Sequence, residues 1–172
     1  VLAAVVLVSG GIRTDFLYYD ALNVALTLVW VVGVTNAFNL LDNMDGLSAG
    51  VAFVASLVLL VNAWILGEFF ISLVLVALMG SLLGFLVYNW HPASIFLGDC
   101  GSLFVGFTLA SLTLLQRYVS HASSTLFPVL MPVLVLALPL LDTAPVVFIR
   151  IREGRPIYVG DSRHLSHRPV SP

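Results

Sequence analysis

Five apolar runs, four of them long and the fourth in order short, dictate what this 172-residue chain can become. Crossing a bilayer takes roughly 20 consecutive apolar residues, because inside hydrocarbon every backbone N–H and C=O must be satisfied within the helix itself. The runs cover residues 21–41, 47–66, 69–88, 102–116 and 125–149. Residues 1–9 read as the tail of a further span, so the chain is expected to be a fragment of a larger membrane protein. Hydrophobic residues make up 60% of the chain and charged ones 9%. Mean hydropathy is +1.07. Soluble domains average about 45–50% apolar and about 25% charged. The expected architecture is therefore all-α: a single polytopic membrane bundle with about five complete spans and a partial one at the start, ending in a polar tail at 150–172. The one cysteine, Cys100, has no partner for an internal disulfide. The net charge of −2 gives no lead to a partner, and no nucleic-acid partner is expected.

Sidedness follows from arginine. Five of the seven arginines, Arg150, Arg152, Arg155, Arg163 and Arg168, follow the last run, and there is no lysine. Basic residues accumulate on the cytoplasmic side of membrane proteins. Counting spans back from a cytoplasmic tail puts three polar clusters on that same face: "NLLDNMDG", "NWHPASIFLGDCGS" and "GDSRHLSHRP".

Within 36–45, Asn36, Asn39 and Asn43 recur at i, i+3 and i+7, as on one face of a helix end, with Asp42 and Asp45 at or just past it. Gly46 can turn the chain and Ser48 can help start the next helix. Ordinary capping uses one or two such side chains. Five polar groups at membrane depth are costly unless they line a cavity or bind a ligand. In the second cluster, Gly98-Asp99 and Gly101-Ser102 flank a helix start, expected to offer free N–H groups from Ser102 onward to an anion. Asp99 is a hard oxygen donor suited to Mg²⁺, unless it only caps the helix. In the third, His164 and His167 are bracketed by Arg163 and Arg168. That set suits a diphosphate, with anionic lipid head groups and zinc as competing readings. Asp142, inside the last run, is a further suspect, although a buried ion pair explains it equally well. Acidic ligands, an anion-binding helix start and an Arg/His clamp are the equipment of phosphoryl transfer. At a membrane surface they imply a partly lipidic substrate.

These motifs carry a family resemblance. "NAFNLLDNMDGLSAG", "YNWHPASIFLGDCGSLFVGF", "PLLDTAPVVFIRIREGRP" and "GDSRHLSHRP" resemble, in order, the cytoplasmic signatures of the polyprenyl-phosphate N-acetylhexosamine-1-phosphate transferases. The likeness covers nearly all of 33–169. The His-X-X-His tail looks more like the branch using UDP-N-acetylglucosamine than the peptidoglycan translocase branch. The resemblance implies that a UDP-N-acetylhexosamine and polyprenyl phosphate react, with Mg²⁺ or alternatively Mn²⁺, to give polyprenyl-diphospho-sugar and UMP. It implies Asn39 and Asp99 as metal ligands, and Asp42, Asp45 and Asp99 as the catalytic carboxylates. Asp45 would also contact uracil, with Phe96 near its ring. Asn36, Ser102, Arg163, His164, His167 and Arg168 would complete the substrate contacts. The location it implies is the inner cell membrane, multi-pass, with the active face cytoplasmic, and it is compatible with a homodimer. Family members also carry an Asp-Asp pair on an earlier loop. No Asp-Asp occurs in this chain, so the chain alone is expected to be inactive. A transporter and a non-catalytic scaffold are the alternatives; a transporter would place polar groups near mid-membrane on several spans.

Overall fold

The computed structural model describes residues 1–13, 18–116, 137 and 141. All regular structure among them is helical: α1 (Leu2–Ser9), α2 (Asp20–Leu41), α3 (Leu47–Ile65), α4 (Phe69–Asn89) and α5 (Gly98–Leu115). The last four are long and apolar enough to cross a membrane, and this is a multi-pass membrane protein. They match four of the five expected spans, and α1 is the expected partial one. The run at 125–149, with Asp142, and the tail with Arg163, His164, His167 and Arg168 lie outside the described residues.

The helices pair as α2 with α5 and α3 with α4, and α3 ties the two pairs together. Small residues decide the α3 seam. Ala49, Ala52, Ala55, Ser56, Leu59 and Ala63 are buried along one face. Such stripes let helix backbones approach closely where lipid offers no hydrophobic drive for association. Opposite them α4 buries Ile71, Leu75, Leu78 and Leu82, at i, i+4, i+7 and i+11. The contact of α2 with α5 is closer still. A side chain on Gly106 would meet the Thr35 Cα at 2.9 Å and the Phe38 Cβ at 3.0 Å. Above this point Trp30 Nε1 donates to Thr113 Oγ1 at 3.0 Å, and Gln116 Nε2 donates to the Leu59 carbonyl at 2.7 Å. The outward faces carry Val29, Val54, Val61, Leu73, Val76 and Phe104, all exposed. An apolar exterior around a small-residue interior is the arrangement a bilayer demands.

Candidate active site

Because α2 runs into α3 through residues 42–46, and α4 into α5 through 90–97, both connections lie at the same end of the bundle. Local chemistry explains both turns. Gly46 holds φ +71°, a left-handed conformation that side chains disfavour, and its N–H donates to Asn89 Oδ1 at 2.9 Å. Asn89 is buried and also donates through Nδ2 to the Ile95 carbonyl at 2.8 Å. One carboxamide thus joins the two connections.

Three side chains of the first polar cluster, Asn39, Asp42 and Asp45, reach the second. Asn39, in the last turn of α2, donates through Nδ2 to Asp99 Oδ1 at 2.9 Å and to Ser102 Oγ at 3.0 Å. The Asp42 carboxylate lies beside the N–H of Gly98, the first residue of α5. Asp45 accepts from Ala93 N–H at 3.1 Å, and His91 Nδ1 lies 3.0 Å from the same oxygen, Oδ2. The sequence-based convergence of these two clusters is therefore physical contact, made by side chains up to 63 residues apart.

Several positions differ from expectation. Helix α5 begins at Gly98, one turn before Ser102, with Gly98 at φ +63° and the Asp42 carboxylate beside its N–H. The N–H groups open to an anion thus belong to the turn beginning at Asp99. Ser102 is fully buried; its hydroxyl donates to the Gly98 carbonyl at 2.9 Å and accepts from Asn39. Ser48 does not start α3: it is buried and donates to the Phe38 carbonyl at 3.2 Å. Since α2 stops at Leu41, Asn43 leaves the helical face that Asn36 and Asn39 share. Asn36 and Asp99 are exposed. Phe96 is 74% exposed, an aromatic ring beside the site with little packed over it. Asn89 and His91 were not legible as site residues. The available signal was a carboxamide ending an apolar run, which reads equally well as a helix cap.

The electrostatics separate the two loop aspartates. Burial, followed by the nearby Asp99 charge, pushes the half-buried Asp42 up from 3.8 to about 6, against the lowering influence of the Gly98 N–H. Asp45 moves the other way, because Ala93 N–H and then His91 hydrogen-bond its ionised form. A raised folded-state value means that ionising Asp42 costs the fold stability as pH climbs from 3.8 toward about 6. Asp42→Asn removes that cost and keeps an acceptor oxygen in the same place. Without divalent cations it should melt at or above the wild-type temperature at neutral pH. The gap should close as pH falls toward 3.8. A lower melting temperature at neutral pH would contradict this account.

The donor set suits a hard cation. Asn39 spends its Nδ2 on Asp99 and Ser102, which leaves its carbonyl oxygen to act as a ligand beside the Asp99 carboxylate. Among the described residues no three His, Cys, Asp or Glu side chains cluster tightly enough to hold a metal alone. A cation here would complete its shell with water and ligand phosphates, as Mg²⁺ commonly does. Its charge would also relieve the repulsion between Asp42 and Asp99.

Known proteins share this sequence pattern. The family model for glycosyl transferase family 4 matches residues 2–117. A probable undecaprenyl-phosphate N-acetylglucosaminyl 1-phosphate transferase of Bacillus subtilis is 38% identical over 96% of this chain and 48% of its own length. A decaprenyl-phosphate N-acetylglucosaminephosphotransferase of Mycobacterium leprae is 35% identical over 92% of the chain and 44% of its own length. A phospho-N-acetylmuramoyl-pentapeptide-transferase of Geobacillus thermodenitrificans is 45% identical over 54% of the chain and 28% of its own length. The chain thus spans about half the length of the first two relatives. With a family match across two thirds of its residues, the chain belongs to glycosyl transferase family 4.

Proposed function

We propose that this chain forms the donor-binding half of a transferase that moves N-acetylglucosamine-1-phosphate from UDP-N-acetylglucosamine to polyprenyl phosphate. UMP leaves, and the lipid-linked sugar serves cell-envelope glycan synthesis. The observation that carries the reading is the Asn39–Asp99 contact at 2.9 Å, which sets a carboxamide and a carboxylate against the opening turn of α5. That pair would hold Mg²⁺ (or Mn²⁺), which supplies charge neutralisation at the donor diphosphate. The N–H groups of the α5 opening turn point the helix dipole at the same diphosphate. Asp42 forms the polar wall beside it. Asp45 accepts from the uracil, and the exposed Phe96 ring lies near the base. Asn36 and the Ser102-buttressed Asn39 line the α2 side. Arg163, His164, His167 and Arg168 engage the diphosphate or the sugar. The site works at the cytoplasmic face of the inner membrane, where a soluble nucleotide sugar meets a lipid phosphate.

An Asp-Asp pair and further spans would come from the rest of a longer protein. Residues 1–172 alone are accordingly expected not to turn over. The test uses membranes carrying the complete gene product, given labelled UDP-N-acetylglucosamine, undecaprenyl phosphate and Mg²⁺. Labelled lipid and released UMP are expected, and both should stop with EDTA. Absence of labelled lipid from every UDP-hexosamine tried would refute the reading.

A further inference from the structure

His91 is an exposed histidine that the proposed chemistry does not use. Its side chain is 81% exposed, yet its Nδ1 lies against a carboxylate. Nδ1 lies 3.0 Å from Asp45 Oδ2, and Ala93 N–H reaches the same oxygen at 3.1 Å. Two donors on one oxygen leave Oδ1 as the open acceptor and hold the carboxylate in one rotamer. The loop that supplies both donors is itself anchored. Ser94 N–H and Ser94 Oγ both donate to the Tyr88 carbonyl, at 2.8 and 3.0 Å, and Asn89 bonds the Ile95 carbonyl. On its other side Asp45 is followed by Gly46, whose N–H is fixed by Asn89.

We infer that His91 is a positioning residue: donating through Nδ1, it locks Asp45 Oδ2 so that Oδ1 faces the donor's nucleobase. The inference rests on the transferase reading above and deepens it. A carboxylate can only accept, so Oδ1 suits the N3–H of uracil and repels the bare N3 of cytosine. An acceptor free to swing would lose that discrimination together with affinity. An exposed His–carboxylate contact contributes little to global stability. Its effect therefore belongs in donor binding rather than in folding.

The experiment compares His91→Ala, His91→Asn and His91→Gln in the complete gene product. It records kcat, KM for UDP-N-acetylglucosamine, KM for undecaprenyl phosphate, and melting temperature. The amide nitrogen of Asn falls where Nδ1 was, and that of Gln falls nearer Nε2. His91→Ala should raise the donor KM roughly three- to tenfold, the loss of one exposed charge-assisted hydrogen bond. Its kcat, lipid KM and melting temperature should stay near wild type. His91→Asn should recover the donor KM to within about twofold, and His91→Gln should not. Equal impairment in all three variants, or a fall in melting temperature without a change in donor KM, would overturn the inference. Wild-type turnover with an unchanged donor KM in His91→Ala overturns it alone. A wild type without turnover overturns the transferase reading and this inference together.

Discussion

Asp99→Asn, in the complete membrane protein, should cut labelled-lipid formation about a hundredfold, the upper end of the roughly 10–100-fold seen when even outer partners of a catalytic metal are removed. The substitution keeps the shape of the side chain and can still face Asn39. What disappears is the charge of an exposed carboxylate beside the opening turn of α5. Asp99 does not cap α5, whose N-cap position is Leu97, so its alternative role is only to support the opening turn, and there Asn would serve nearly as well. Activity and stability therefore separate the two roles. The account expects a near-normal melting temperature with turnover lost. Turnover within a few-fold of wild type would show that the Asp99 charge is not needed. Cys100→Ser, one position along and also exposed, should keep close to wild-type turnover and controls for disturbance of the turn.

The second large effect lies away from the chemistry. Gly106→Leu should prevent accumulation of folded protein, and Gly106→Ala should cost about 1–3 kcal/mol, the usual penalty of overpacking. The obstacle is backbone as well as side chain: Thr35 Cα at 2.9 Å, Phe38 Cβ at 3.0 Å and the Thr35 carbonyl at 3.2 Å from an added Cβ. Only one of these three atoms belongs to a side chain, and it is a Cβ that cannot rotate away. Parting α2 from α5 here would also part Asn39 from Asp99, about two turns along the same seam. Donor turnover should fall with stability in Gly106→Ala. The comparison is Gly84→Ala in α4, where an added Cβ meets nothing within 4 Å. That variant should be neutral or slightly stabilising. Equal melting temperatures for the two alanine variants would show that the close approach is not limiting.

The sequence made the helices legible because a bilayer leaves little choice. An apolar run between polar breaks must be a helix, and Asp20–Leu41, Leu47–Ile65 and Phe69–Asn89 fall within a residue of expectation at each end. It made the α5 start illegible, since two glycines around Asp99 look like a break. The helix opens on Gly98 at φ +63°, with its N–H beside Asp42, 56 positions away in the chain, and no local rule reports that. The same reason hid His91, whose partner Asp45 is 46 residues away. Asn89 was hidden because its two bonds lie in two different connections. Asn39 and Asp99 stand out in the sequence because hard oxygen donors at membrane depth are costly without a ligand. Their direct contact was not readable, since it depends on the α2–α5 seam closing over Gly106.

The most direct measurement follows the donor's β-phosphate. UDP-N-acetylglucosamine labelled with ³²P at that phosphate is incubated with undecaprenyl phosphate, Mg²⁺ and membranes holding the complete protein. The account predicts ³²P in the lipid phase, with unlabelled UMP as the soluble product and no transfer by Asp99→Asn. Lipid that carries the sugar while ³²P stays behind in soluble UDP would contradict it, because the bond broken would then be the glycosidic one and not the diphosphate bridge that the α2–α5 site is proposed to hold.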